Sequence, residues 1–298
     1  MSFTEFGQQF INGLSLGSIY ALVAIGLAMI FGILRLINFA HGDVLMVGAF
    51  AAFFYAKAGL PFAAVVVLAI ATTALAGVVM ERVAYRPIRG APDVALLLTS
   101  LGVSIALENG ATMLVSPQPR KFPTPGGWDH QVALGRGVQI SITNIITVAV
   151  TLGVMVALTL FVTRTRLGIS MRAAAENMTA AQLMGININT VVVAAFAIGS
   201  ALAGIAGILW SARVDRIDPL MGFIPVLKAF AATVIGGFGS IPGAVIGAYL
   251  IGFGEIFLVA LLPDSLTGYR DAFVFAALIL VLLLRPQGIL GSTAPEKI

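Results

Sequence analysis

Residues 11–34 read "INGLSLGSIYALVAIGLAMIFGIL", a run without a single charged side chain. At ~1.5 Å of rise per residue such a run, wound as a helix, is long enough to cross a ~30 Å hydrocarbon core. Similar runs recur at 44–60, 61–80, 94–116, 141–163, 191–212, 225–239, 241–262 and 270–284. Across all 298 residues, 59% are hydrophobic and 10% charged, where a soluble domain carries roughly a quarter charged residues. With a mean hydropathy of +1.03, the chain reads as an all-α integral membrane protein. We expect one domain over 1–298, a polytopic helical bundle of eight to nine transmembrane segments. Two segments are short or interrupted. One opens "NFAHGDVLMVGAF" from Asn38; the other covers 225–239 and runs on through "VIGGFGSIPGAVIGAY". One or both are expected to be broken or re-entrant helices.

Composition also removes whole classes of function. Without cysteine there are no disulfides, thiolate metal sites or cysteine nucleophiles. The only histidines, His41 and His130, are far apart in sequence, a poor basis for a metal site. No His-Glu-x-x-His, Gly-x-Ser-x-Gly or Gly-x4-Gly-Lys-Ser/Thr pattern occurs, so hydrolysis of ATP by this chain alone is excluded. The net charge of +4 comes from few residues, mostly beside the apolar runs, and speaks to orientation rather than to nucleic acid. No Lys or Arg precedes the first apolar run, so no cleavable signal peptide is expected.

Basic residues are retained on the cytoplasmic side of short loops. Arg82, Arg86 and Arg89 mark one such loop, and Arg164, Arg166 and Arg172 mark another two spans later. Parity agrees, which makes 164–190 a cytoplasmic loop. The segment 117–140 then lies outside despite Arg120, Lys121 and Arg136, and its Pro and Gly content predicts an irregular flap. Arg285 and Lys297 put the C-terminus inside.

A buried polar group without a partner costs several kcal/mol in a bilayer, so polar residues within spans need an explanation. Ser100, Ser104, Glu108 and Thr112 recur every four residues on one helical face, with Asn109 beside it. Such a face lines a pathway or a neighbouring helix, or its hydroxyls bond back to their own helix. Asn38, His41 and Asp43 cluster in the first broken segment, where helix ends expose backbone groups able to meet a substrate's charged ends. The alternative there is a cap and loop closure by Asp43 and Asn38 at the membrane edge. Glu255 is an ionisable group within a span, a functional candidate unless a basic residue of another helix pairs with it. Small residues four apart, Gly13 with Gly17 and Gly243 with Gly247, predict close helix contacts. A short echo, "VGAF" at 47–50 and "IGAY" at 246–249, links the two halves near the interrupted segments.

Residues 171–187, "MRAAAENMTAAQLMGIN", form a polar, helix-prone insert in the 164–190 loop. Ser170 is expected to cap a short helix over Met171 to Glu176, where Arg172 and Glu176 can pair. Asn177 interrupts, and Thr179 with Gln182 fits a capping box for a second short helix that Gly185 stops. Asn189 or Thr190 would cap the next span. A two-turn helix is unstable alone in water, so something must hold it. Ala180, Ala181, Leu183 and Met184 offer a small apolar surface suited to the groove of another protein, or to packing on the chain's own bundle.

Ala180-Ala181-x-x-x-Gly185 resembles the core of the "EAA" loop of ABC importer permeases, with Thr179 where that pattern has Glu; Glu176 lies one turn earlier. Further stretches carry the likeness across the chain: "NGLSLGSIYALVAIGLAMIFGILRLINFAHGDVLMVGAF" from Asn12, "ERVAYRPIR" from Glu81, "MGININT" from Met184, "GGFGSIPGAVIGAYLIGFGE" from Gly236 and "LLLRPQGILG" from Leu282. Together they resemble the permeases of branched-chain amino acid ABC importers, the LivH type. The resemblance implies a multi-pass subunit of the bacterial inner membrane without a cofactor of its own. Its implied partners are a second permease (a paralogue or another copy), two ATPase subunits that hold ATP and Mg, a periplasmic binding protein, the amino-acid substrate and membrane lipid, but no nucleic acid. It also implies that Arg172, Glu176, Thr179, Ala180, Ala181, Gln182 and Gly185 couple to the ATPase. Asn38, His41, Asp43, Ser100, Ser104, Glu108 and Glu255 are the candidates for the pathway. Related permeases for urea, short amides or other amino acids share such a framework. An ion-coupled transporter using Asp43, Glu108 or Glu255 is the rival of another class, and a membrane-embedded enzyme a further one.

Overall fold

A computed structural model describes residues 2–128, 130–133, 138–285 and 287–290. Arg136 and Lys297, used above for orientation, and Pro286 and Gly291 of the last quoted stretch lie outside the described residues. The first apolar run belongs to α1 (Phe3–Leu34). Ser2 and Glu5 cap it reciprocally, Glu5 N donating to Ser2 Oγ at 3.2 Å and Ser2 N to Glu5 Oε2 at 2.8 Å. It ends where Arg35 turns into the left-handed region at φ 56°. Its middle, Ile19 to Ala24, is fully enclosed, because α5 (Ile142–Arg164), α8 (Ile188–Val214), α9 (Phe223–Gly236) and α10 (Ile241–Leu261) surround it. The small residues permit this: a Cβ on Gly252 of α10 would stand 2.5 Å from the Gly17 Cα.

A second layer, α2 (His41–Lys57) and α3 (Phe62–Met80), packs on α8. A π-helical turn (Glu81–Tyr85) and a 3-10 turn (Arg86–Ile88) prolong α3. α4 (Asp93–Val115) and α11 (Arg270–Leu284) are peripheral and present apolar side chains such as Leu98, Met113, Leu283 and Leu284 outward. Among the described residues, seven helical stretches are long and apolar enough to cross a membrane: α1, α3 with its extension, α4, α5, α8, α10 and Ser265–Leu284. The two segments singled out as interrupted are the short ones, α2 with 17 residues and α9 with 14.

Residues 35–40 double back so that α2 begins beside the middle of α1: the His41 Nε2 lies 2.5 Å from where a Gly26 Cβ would stand. α9 starts at the same level, since a Cβ on Gly42 would stand 2.5 Å from the Gly222 carbonyl oxygen. Two short helices thus meet N-terminus to N-terminus inside the bundle. The "VGAF" and "IGAY" echo does not mark this pair, for the first lies in α2 but the second in the full-length α10.

The flap expected at 117–140 is more regular than its Pro and Gly content suggests. β1 (Arg120–Lys121) pairs antiparallel with β4 (Arg216–Ile217), and β2 (Gln131–Ala133) pairs with β3 (Gln139–Ser141). Phe122 is buried beneath them, and Trp128 stands edge-on to Phe62 at 5.0 Å. Two basic residues here have local partners: Arg120 donates to the Val115 carbonyl and lies over the Phe53 ring, and Lys121 reaches Asp215 at 3.5 Å. At the opposite face lie α6 (Arg166–Glu176), α7 (Met178–Leu183) and the end of α3, joined by Arg89 Nη1 donating to Asn189 Oδ1 at 2.6 Å. Residues 289 and 290 join that face, since Ile289 and Leu290 donate to the Ile235 and Gly236 carbonyls at 2.8 and 2.9 Å, and Gly239 and Ala175 both adjoin Gly32.

Candidate functional site

The junction of α1, α2, α4 and α9 gathers most of the pathway candidates. Asp43 sits in the first turn of α2, where the helix dipole favours a carboxylate. It is buried and accepts from Ser104 Oγ of α4 at 2.5 Å. One turn back, Ser100 Oγ accepts from the Phe39 backbone N–H at 3.4 Å while donating to Leu97 O. Asn38 Oδ1 accepts from Tyr85 OH at 2.8 Å, and Asn38 Nδ2 has no partner. His41 is completely enclosed, faces the Val23 carbonyl, and makes no well-formed hydrogen bond at either ring nitrogen. The capping alternative fails: Ala40 is the N-cap of α2 without any side-chain cap, and the cluster is deep in the bundle rather than at its edge.

The polar face of α4 divides. Ser100 and Ser104 reach the junction, whereas Thr112 and Asn109 bond back to the Glu108 and Ile105 carbonyls at 2.8 and 2.7 Å. Glu108 is half-buried one turn beyond Ser104. "ERVAYRPIR" supplies groups that the polar pattern of the spans left out. Tyr85 holds Asn38, and Glu81, buried at the π-helical turn, pairs with Arg89.

Glu255 does not join this cluster. Its Oε1 lies 2.8 Å from Lys228 Nζ of α9, its Oε2 accepts from Tyr20 OH at 2.9 Å, and Arg270 stands 3.4 Å away. Asp271 completes the set at 2.8 Å from Lys228. Lys228, as conspicuous in its apolar run as Glu255, is the partner that the sequence reading did not name. Lys228, Glu255, Arg270 and Asp271 line a cavity of about 710 Å³ that also takes in Trp210, Arg213 and Val259.

The insert at 171–187 folds as two short helices, with different caps from those expected. α6 begins five residues earlier than Met171, capped by Thr165, whose Oγ1 accepts from Gly168 N at 3.0 Å. Ser170 lies inside it and donates to Arg166 O. Asn177, not Thr179, caps α7, its Oδ1 accepting from Ala180 N at 2.9 Å. With the Asx cap two residues earlier, Thr179 already lies inside the helix, so the Thr179 and Gln182 box is not formed. Among the described residues no ion pair joins Arg172 to Glu176. Gly185 does stop the helix: at φ +84° it forms a Schellman closure, Gly185 N to Gln182 O and Ile186 N to Ala181 O, both 3.0 Å. Asn187, two residues before Asn189, caps α8 through Thr190 N at 3.2 Å. Ala181 is buried against the chain's own bundle, whereas Leu183 and Met184 are 84% and 83% exposed.

Residues 9–282 match the family model described as branched-chain amino acid transport system / permease component. The chain belongs to this family. The permease is 42% identical to the high-affinity branched-chain amino acid transport system permease protein BraD of Pseudomonas aeruginosa, over 98% of this chain and 97% of that one. It is 40% identical to LivH of Escherichia coli K12, described in the same words, over 99% of both. Among solved structures, PsaBC from Streptococcus pneumoniae in complex with Fab matches with a TM-score of 0.51 at 11% identity, covering 93% of the permease and 91% of that chain. That likeness concerns the fold. The permease is thus a transport subunit and not an enzyme.

Proposed function

We propose that the permease is a membrane subunit of an ATP-driven importer that carries branched-chain amino acids inward by alternating access. The observation that carries this reading is α7: a six-residue helix, closed at both ends by its own caps, that leaves Leu183 and Met184 bare beside the arginine-rich face. Apolar side chains held outward on a short rigid piece suit the groove of a partner protein. The full-length relatives, named for branched-chain amino acid transport, supply the substrate class. The partners in this reading are a second permease subunit, two ATPase subunits holding ATP and Mg, and a periplasmic binding protein, in the bacterial inner membrane. The face of α6, α7 and residues 287–290 is then cytoplasmic, and the 164–190 loop is the coupling loop. Ala180, Leu183 and Met184 would meet the ATPase, with Ala181 seating α7 on the bundle and Gly185 fixing its end.

The junction is the gate in this reading. Gly42 against Gly222 closes the space between α2 and α9, and moving either short helix would expose Asn38, His41 and Asp43 together.

Co-expression with the neighbouring transport subunits tests the docking. Leu183→Ser with Met184→Ser should lose most of the co-purifying ATPase subunit, and with it leucine uptake, while the permease remains folded. Full recovery of the ATPase subunit with the double variant would overturn it.

A further inference from the structure

Beyond the gate, the permease holds a second cluster of charged groups whose chemistry matches a substrate. The cavity of about 710 Å³ is lined by the start of α1, the end of α8, the N-terminal half of α9 and the facing ends of α10 and α11. It opens on the face opposite α6 and α7, the outer face in the transport reading. Within it stand the cations Arg213, Arg216, Lys228 and Arg270 and the carboxylates Asp218, Glu255 and Asp271. Arg216 pairs with Asp218 at 3.8 Å, and Lys228 and Arg270 each contact Glu255 and Asp271. Arg213 is the exception. Its guanidinium donates only to neutral acceptors, Ser15 Oγ at 2.9 Å and Asn144 Oδ1 at 3.1 Å, and no carboxylate lies within ion-pair distance among the described residues.

A largely buried guanidinium that no carboxylate contacts, with Glu255 acting on it only from a distance, favours an anion, and its planar fork suits a carboxylate in particular. The same cavity holds Asp271, whose carboxylate stays partly exposed beside its contacts with Lys228 and Arg270 and can take a further cation, and Trp210, Ile256 and Val259 for an aliphatic chain. We infer that this outer cavity is a receiving site for a zwitterionic amino acid, with its carboxylate on Arg213, its ammonium toward Asp271 and its side chain against Ile256 and Val259. The inference rests on the transport reading and adds to it a place where substrate waits before the junction opens. A phosphatidylethanolamine headgroup carries the same pair of charges, and the test separates the two.

The chain has no cysteine, so Val259→Cys gives a single reporter at the cavity wall. The complete importer is assembled in nanodiscs of phosphatidylcholine and phosphatidylglycerol and treated with a membrane-impermeant methanethiosulfonate, and modification is read on the permease subunit by mass. Saturating L-leucine should slow modification several-fold. Isopentylamine, which lacks the carboxylate, should not, and Arg213→Gln should abolish the protection by leucine. A reporter thiol left unprotected by leucine, or protection undiminished in Arg213→Gln, would overturn the inference. So would protection brought about by phosphatidylethanolamine in the discs and not by leucine. If Arg213→Gln does not assemble, the comparison of leucine with isopentylamine on the Arg213 protein decides the matter by the same criterion. Leucine uptake by the importer without either substitution is measured alongside. Uptake without protection overturns this site alone, whereas absence of uptake overturns the transport reading.

Discussion

Around Glu255, four charged side chains from α9, α10 and α11 neutralise one another within 3.4 Å. Around His41, polar atoms just as deeply enclosed lack well-formed hydrogen bonds: both ring nitrogens, although the ring faces the Val23 carbonyl, and Asn38 Nδ2. A paired cluster is held in one arrangement by its own attractions. An unpaired one pays a desolvation penalty in this conformation that another conformation can relieve. The first links three helices on one face of the bundle; the second sits where two short helices abut, the place proposed for the gate. On the proposed reading, the difference separates what holds the permease from what opens it.

Removing one member of the paired cluster should have the largest effect. Lys228→Met leaves Glu255 and Asp271 with Arg270 as their one contacting cation, itself half exposed, and breaking a buried pair destabilises by about 3–5 kcal/mol. The expected outcome is loss of monodisperse permease on detergent extraction. Adding Glu255→Gln should restore part of it by removing the stranded charge. Wild-type yield from Lys228→Met alone would show that the network does not hold the fold.

The next effect concerns the contact between the short helices. Gly222→Val would drive its Cβ into the Gly42 carbonyl, and overpacking a closed contact costs about 1–3 kcal/mol. Because only the junction is wedged, leucine uptake should fall by at least tenfold while the extracted permease keeps its elution profile. Equal loss of both would place Gly222 in the scaffold and not in the gate.

These clusters were not equally legible in the sequence. Hydropathy alone marks the spans, and interruption marks α2 and α9, because length and apolarity are local properties. Asp43 and Ser104 stand out for the same reason, as polar residues in apolar runs. That they touch follows from α2 starting half-way along α1, which no local pattern encodes. Glu255 and Lys228 are 27 positions apart, and their pairing depends on α9 folding back along α10 through the glycines at 236 and 243, whose backbones adjoin. At 171–187 the stop at Gly185 is legible because positive φ favours glycine. The start is not, because Asn177 and Thr179 both carry cap chemistry and only the observed ψ of 103° at Asn177 decides between them.

The smallest effect on stability, and the sharpest on the contrast, belongs to His41→Leu. Leucine keeps an apolar bulk against Gly26 and gives up no well-formed hydrogen bond, so replacing an unsatisfied buried group should leave stability within about 1 kcal/mol of the original or raise it. Thermal unfolding of the purified permease checks this. If the unpaired imidazole serves a second conformation, in which it finds water, a partner or the substrate, then leucine uptake falls several-fold although the resting structure is intact. Unchanged uptake would make His41 a packing residue and return the gate to Asp43 and Ser104. A marked loss of stability would show that the ring supports the fold, and the contrast between the two clusters would then rest on Asn38 alone.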